Sequence, residues 1–148
     1  MAGSWEAARP VSVLVVEDDE QDLMLIERAF RQANIPVYVR AVRDGGEAQN
    51  ILNQSGLDGD RTPDLIFLDL NLPTVDGRDI FKSMRSHESL SSIPIVVLTG
   101  VLDEGVVAYT ETDDDVLYFE KPADLDTMTH IVNQAVKALT EGSSQLNA

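Results

Sequence analysis

The chain contains no cysteine, and this absence removes several classes of site. Without thiols there is no disulfide framework, no thiolate nucleophile and no cysteine-ligated metal. The sequence also lacks an apolar run near the ~18 residues of a transmembrane helix, and no basic-then-apolar leader precedes the first apolar segment. From these absences we expect a cytoplasmic protein that has no membrane segment.

Basic residues are scarce in this chain. Its 11 lysines and arginines stand against 26 aspartates and glutamates, which gives a formal net charge of −15. Direct binding of nucleic acid needs a basic face that neutralises phosphates, and this composition argues against it. The lysines are Lys82, Lys121 and Lys137. A lysine that lies among carboxylates is therefore a candidate functional residue.

Short apolar runs alternate with amphipathic segments along the sequence. The runs at 11–16, 37–41, 65–68, 95–98 and 116–119 predict five strands. Apolar residues at helical spacing predict five helices between and after the strands. This alternation indicates an α/β domain with a parallel sheet covered on both faces. We expect one domain over 11–140, with loose segments at 1–10 and 141–148.

The predicted helices differ in their signals. One begins after Asp44 and runs to about residue 53, another extends from 77 to about 86, and the last begins at Asp124. The helix over 103–110 is weak because glycine and valine, which have low helix propensity, occupy its centre.

Polar side chains follow the predicted strands where each strand ends. Glu17 and Asp18 follow the first strand, Asp69 the third, Thr99 the fourth and Lys121 the fifth. In open α/β sheets the ligand crevice lies at the carboxyl ends of the strands, so we expect these groups to share it. Any one of them has an ordinary explanation, such as a first-turn acid of a helix or a solvated loop lysine. Together they are hard to explain by chance.

This combination of groups suits one kind of chemistry. Clustered carboxylates repel one another unless a cation joins them, and an all-oxygen site favours Mg²⁺ over Zn²⁺. A metal, an ammonium group and a hydroxyl stabilise a phosphoryl group during transfer. An aspartate beside the metal can be the nucleophile and form an acyl phosphate.

Four segments of the sequence resemble the receiver domain of two-component response regulators. They read "VLVVEDDE", "PDLIFLDLNLPTVDG", "IPIVVLTG" and "YFEKP", and the resemblance extends over nearly the whole chain. It implies a flavodoxin-like doubly wound (βα)5 fold, with a five-stranded parallel sheet of order 2-1-3-4-5. The stretch "LDLNLP" further resembles small stand-alone regulators associated with bacterial phytochromes.

The resemblance implies a role for each acid of the crevice. Asp69 is expected to accept the phosphoryl group. Asp18 is expected to bind Mg²⁺ directly and Glu17 through water. Asp69 and the backbone carbonyl of Asn71 are expected to complete the protein ligands.

The resemblance also implies the parts of a switch. Thr99 is expected to bind a phosphoryl oxygen and Lys121 to pair with the phosphoryl group, while the Tyr118 ring turns inward. The Lys121–Pro122 peptide bond is expected to be cis. Asn71 and Val101 are expected to flank the path of the attacking water and to set the phosphoryl lifetime.

The expected partners follow from the same resemblance. A histidine kinase or a histidine phosphotransfer protein would supply the phosphoryl group. The output surface, or a homodimer contact, would combine the 103–110 helix, the fifth strand and the last helix, with no attached output domain. Two other functions stay open: a phosphohydrolase with an aspartyl nucleophile, and a pseudo-receiver that only binds partners. The first usually shows D-x-D-x-T after the first strand, and the second has usually lost the acceptor, an acid or the lysine.

Overall fold

The structure is a computed structural model that describes residues 10–58, 62–70, 77–86, 93–100 and 116–147. Within these ranges five strands form one parallel sheet in the order β2-β1-β3-β4-β5. The elements are β1 (Val11–Val16), α1 (Glu20–Gln32), β2 (Val37–Val42), α2 (Gly45–Asp58), β3 (Leu65–Asp69), α3 (Gly77–Ser86), β4 (Ile95–Thr99), β5 (Val116–Glu120) and α4 (Leu125–Asn147). The predicted α/β architecture and strand order are confirmed.

The interior strands are apolar because both of their faces are covered. Every residue of β3 and β4 is buried, whereas the edge strand β2 alternates between partly buried and exposed residues over most of its length. Continuous apolar runs are typical of parallel strands that are covered by helices on both sides. Asp69 ends β3, so its carboxylate belongs to one of the most deeply buried segments of the chain.

Two apolar cores lie on opposite faces of the sheet because successive strand residues point in opposite directions. On one face, strand residues such as Val16 and Leu68 pack with α2 and α3. On the other face, residues such as Val15 and Phe67 pack with α1 and α4. There the rings of Phe30 and Phe67 meet edge to face, with centroids 6.0 Å apart. These cores fix the strands that carry the site.

Local capping defines both ends of α1. The Asp19 carboxylate is the N-cap and accepts hydrogen bonds from the backbone N–H groups of Gln21 and Asp22. At the other end Asn34 adopts a left-handed conformation with φ of 58°. Its N–H donates to Arg31, while that of Ile35 donates to Phe30, which gives a Schellman motif. The first turn of α1 is therefore held beside the end of β1.

Some predicted boundaries differ from the structure. Helix α2 continues to Asp58 rather than 53, and α4 continues through Asn147 although a loose tail was predicted from residue 141. Both helices extend further than predicted, since each residue added to an existing helix gains a backbone hydrogen bond without a new nucleus. The 103–110 helix and residues 1–9 lie outside the described residues.

Candidate phosphoacceptor site

Strand register brings the predicted polar residues to one edge of the sheet. Val16 is level with Leu68, and Asp69 is level with Leu98. Glu17 directly follows β1, and Asp69 and Thr99 end the adjacent strands β3 and β4. Their relative exposures are only 2%, 3% and 2%. Buried polar groups need partners, because an unpaired group loses its hydration without compensation.

The ammonium group of Lys121 joins three carboxylates at this edge. Its Nζ donates to Glu17 Oε1, Asp22 Oδ2 and Asp69 Oδ2, each at 3.0 Å. The side chains of Lys121 and Asp22 keep 21% and 26% of their exposure, whereas those of Glu17 and Asp69 are buried. The pKa of Lys121 is raised: burial acts to lower it, but the hydrogen bonds to Glu17, Asp69 and Asp22 outweigh that effect. The lysine is therefore a fixed cation.

Glu17 is held by backbone groups as well as by Lys121. Its own N–H donates to the Val42 carbonyl at 3.0 Å, and its Oε1 accepts from the Asp19 N–H at 3.1 Å. Burial raises the pKa of Glu17 to about 7, and the negative charge of Asp69 adds to the rise, while the contact with Lys121 opposes it. The crevice therefore holds more negative charge than one lysine neutralises.

Three carboxylates lie close enough to be candidates for binding one metal ion. Ligand oxygens of Glu17, Asp18 and Asp69 all lie within 4.8 Å of one another. Glu17 and Asp69 are buried, whereas Asp18 is exposed at the mouth. An all-oxygen donor set with excess negative charge fits a hard divalent cation such as Mg²⁺. Asn71, the predicted carbonyl ligand, lies outside the described residues.

Thr99 and Tyr118 belong to the face of the sheet opposite the lysine contacts. Thr99 continues the alternation of Ile95 and Val97, and Tyr118 packs partly buried against the core on that same face. Tyr118 is level with Val97, two residues before Thr99. The Thr99 carbonyl also accepts a 2.8 Å hydrogen bond from the Lys121 N–H. This backbone hydrogen bond links the end of β4, at Thr99, to Lys121.

The expected cis peptide bond is absent from the structure. No cis bond occurs in the described residues, which include Lys121 and Pro122, so that prediction is wrong for this chain. The trans form of a bond before proline is intrinsically preferred by about 0.5–1 kcal/mol, and the prediction rested on family resemblance rather than on a local constraint. Val101, the second predicted lifetime residue, lies outside the described residues.

Sequence reasoning missed Asp22 as a member of the site. It is three residues after the Asp19 N-cap, in the first turn of α1. Helical side chains lean toward the helix N-terminus, which here faces the crevice. The acid-rich spacing "EDDEQD" therefore contained a signal, since the first-turn position after the cap points back at the strand end.

Comparison with known proteins identifies the family. Residues 13–133 match the family model of the response regulator receiver domain. This chain is a member of that family. Receiver domains act as phosphoacceptor switches that receive phosphoryl groups from histidine kinases, and they bind Mg²⁺ or Mn²⁺ at an acidic pocket. The receiver is thus a component of two-component signalling.

Several proteins are similar to this receiver over most of its length. The probable methanogenesis regulatory protein FilR2 of Methanothrix harundinacea is 31% identical over 129 residues, which cover 87% of this chain and 83% of FilR2. Response regulator Rcp1 of Synechocystis is 37% identical over 97 residues, covering 65% of this chain and 66% of Rcp1.

Two solved structures support the same relationship. The structure of the phosphorylated cyanobacterial phytochrome response regulator RcpA has a TM-score of 0.76 and 34% identity, covering 89% of this chain and 95% of RcpA. The Mn²⁺-bound form of Rcp1 superposes with a TM-score of 0.72 at 31% identity, over 87% of this chain and 93% of Rcp1. Among the described helices of the receiver, none is long and apolar enough to cross a membrane.

Proposed function

We propose that this receiver accepts a phosphoryl group on Asp69 in a reaction that needs Mg²⁺, and that the modification switches partner binding. The observation that carries the proposal is the Asp69 carboxylate itself. It is 3% exposed, and its Oδ2 lies 3.0 Å from Lys121 Nζ. Ligand oxygens of Asp69, Glu17 and Asp18 lie within 4.8 Å of one another, close enough to bind one metal ion. A buried nucleophile beside a cation and carboxylates that could hold a metal ion suits acyl phosphate formation.

The transfer step follows from the groups of the crevice. An Asp69 oxygen attacks the phosphorus of the donor, and the bond from phosphorus to the leaving group breaks. The leaving group departs with the electron pair, and Asp69 becomes a mixed carboxylic–phosphoric anhydride. Lys121 holds the negative oxygens of the transferred group through charge-assisted hydrogen bonds. A bound Mg²⁺ would supply charge neutralisation, with Asp18 and Asp69 as direct side-chain ligands, Glu17 acting through water and the Asn71 carbonyl as a further ligand.

The output of the switch is proposed to arise from Thr99 and Tyr118. A phosphoryl group on Asp69 gives Thr99 a new hydrogen-bond acceptor, and a shift of Thr99 opens space along the face where Tyr118 packs. The partner surface would combine the 103–110 segment, β5 and α4. The same surface could alternatively serve as a homodimer contact.

Similarity to RcpA and Rcp1 supports a particular pathway. RcpA is a cyanobacterial phytochrome response regulator, and its structural similarity extends over 89% of this chain. We propose that this protein is likewise a stand-alone cytoplasmic regulator with its domain at 11–140. Its donor would be a histidine kinase or a histidine phosphotransfer protein, and its output would not involve direct nucleic-acid binding.

The test uses acetyl phosphate as donor and intact-protein mass as readout. Wild type with Mg²⁺ should gain the mass of one phosphoryl group, whereas Asp69→Asn and an EDTA-treated sample should not. Asp44→Asn, an acid that caps α2 outside the crevice, is the matched control and should react like wild type. Equal phosphorylation of Asp69→Asn, or no reaction of wild type with Mg²⁺, would refute the proposal. Continuous turnover of the donor without accumulated phosphoprotein would instead indicate a phosphohydrolase.

A further inference from the structure

We propose that Asp22 is a positioning residue that holds the Lys121 ammonium group in the unmodified receiver and releases it when Asp69 is phosphorylated. The inference rests on the proposed function, because it concerns how that site changes partners. It starts from the 3.0 Å contact between Lys121 Nζ and Asp22 Oδ2, which links α1 to the loop after β5.

The hydrogen-bonding capacity of Lys121 limits how it can engage a phosphoryl group. An ammonium group has three N–H donors. Three carboxylates already receive hydrogen bonds from it, namely those of Glu17, Asp22 and Asp69. A phosphoryl oxygen on Asp69 can therefore gain a full hydrogen bond from Lys121 only when an existing acceptor gives way.

Burial indicates which acceptor gives way. The Glu17 side chain is 2% exposed, so water could not replace its contact with Lys121. When the other oxygen of Asp69 carries the phosphoryl group, Oδ2 remains a carbonyl acceptor beside Lys121, so this contact is kept as well. The Asp22 side chain is 26% exposed, and water can hydrate it once the ammonium group moves. Asp22 is therefore the partner that is lost at the lowest free-energy cost.

The exchange has a consequence for α1. Asp22 lies in the first turn of this helix, three residues after the Asp19 cap. While Lys121 holds Asp22, the helix terminus is tied to the unmodified site. After modification that tie is broken, and the first turn of α1 becomes a second place where the phosphorylation state is reported.

The experiment compares binding of beryllofluoride, with saturating Mg²⁺, to two variants by calorimetry. Asp22→Asn removes the competing acceptor while keeping nearly the same shape, and should bind beryllofluoride about two- to tenfold more tightly than wild type. Glu20→Gln is the matched control: it removes an acid from the same helical turn, but one that pairs with Arg43 at the surface. It should change the affinity by less than about twofold.

A second measurement separates positioning from a purely structural role in α1. In EDTA, Asp22→Asn should lower the midpoint of urea unfolding in the wild-type background but much less in Lys121→Gln, where the partner is missing. Equal losses in both backgrounds, or equal beryllofluoride affinities for Asp22→Asn and Glu20→Gln, would overturn the inference. Failure of wild type to bind beryllofluoride would overturn the proposed function and the exchange with it. If in that case Asp22→Asn still destabilises the wild-type background more than the Lys121→Gln background, the Asp22–Lys121 contact is present and the proposed phosphoryl step is wrong.

Discussion

Replacing Lys121 with glutamine should destabilise the metal-free receiver, because two carboxylates with almost no exposure would lose their cation. Glu17 and Asp69 are 2% and 3% exposed, and both contact Lys121 Nζ at 3.0 Å. Removing one partner of a fully buried ion pair costs about 3–5 kcal/mol. Lys121 keeps 21% of its side-chain exposure, so water and the new amide recover part of that loss and we expect about 2–3 kcal/mol.

The measurement is urea and thermal unfolding in EDTA at a pH above 8. This choice favours ionised Glu17 in the wild type, where its pKa is raised to about 7; in Lys121→Gln the loss of the opposing lysine contact raises that pKa further. A loss of this size corresponds to a drop in Tm of about 4–12 °C for a domain of this length. Adding Mg²⁺ should reduce the difference in stability between wild type and Lys121→Gln, because a cation bound to the acidic cluster replaces part of the missing positive charge.

Lys137→Gln is the matched control for that experiment. It removes an exposed lysine of α4 that lies far along the helix from the crevice, and should change the free energy of unfolding by about 0.5 kcal/mol or less. If Lys121→Gln loses no more stability than Lys137→Gln, the crevice carboxylates do not depend on the ammonium group, and the electrostatic account of the site is wrong.

Three further predictions concern the metal, the phosphoryl lifetime and helix capping. Asp18→Asn should weaken Mg²⁺ binding in calorimetric titration more than Glu17→Gln, because a direct ligand is lost in the first case only; equal or reversed effects would contradict the ligand assignment. Val101→Glu or Val101→Gln should change the dephosphorylation rate of the isolated phosphoprotein while phosphorylation continues, and unchanged decay in both variants would remove this residue from the mechanism. The pKa of Asp124 is lowered by hydrogen bonds from Thr127, so its capping contribution is present above pH 3.8, its ordinary pKa, and is lost as pH falls through the lower folded value. Asp124→Asn should flatten this acid dependence in circular dichroism, and an identical pH profile would show that the cap does not titrate as described.

The sequence alone predicted the elements whose signals are local. Apolar runs such as 65–68 and 95–98 are buried on both faces, so their strands could be recognised without any tertiary information. The proximity of Asp69 and Lys121 was predicted for a related reason. Parallel strands end at the same edge, and Asp69 and Lys121 follow two of them, so topology alone brings them together.

Features that depend on tertiary context were predicted less well. The contact of Asp22 with Lys121 depends on how the first turn of α1 is oriented toward the strand ends, which spacing suggests only after the site is known. The end of α4 was placed too early because the last residues were expected to be loose, as chain termini often are, although an existing helix can continue into them. The Lys121–Pro122 bond was expected to be cis from resemblance only, and nothing in the local sequence required it.

The central claim is that Asp69 is the phosphoacceptor, and the most direct measurement locates the modified residue. Borohydride reduces an acyl phosphate of aspartate to homoserine, which mass spectrometry of proteolytic peptides detects at a single position. After treatment with acetyl phosphate and Mg²⁺, homoserine should appear at Asp69 and be absent when Mg²⁺ is chelated. Homoserine at Asp18 or another acid, or its absence from a sample shown to bind Mg²⁺, would contradict the account.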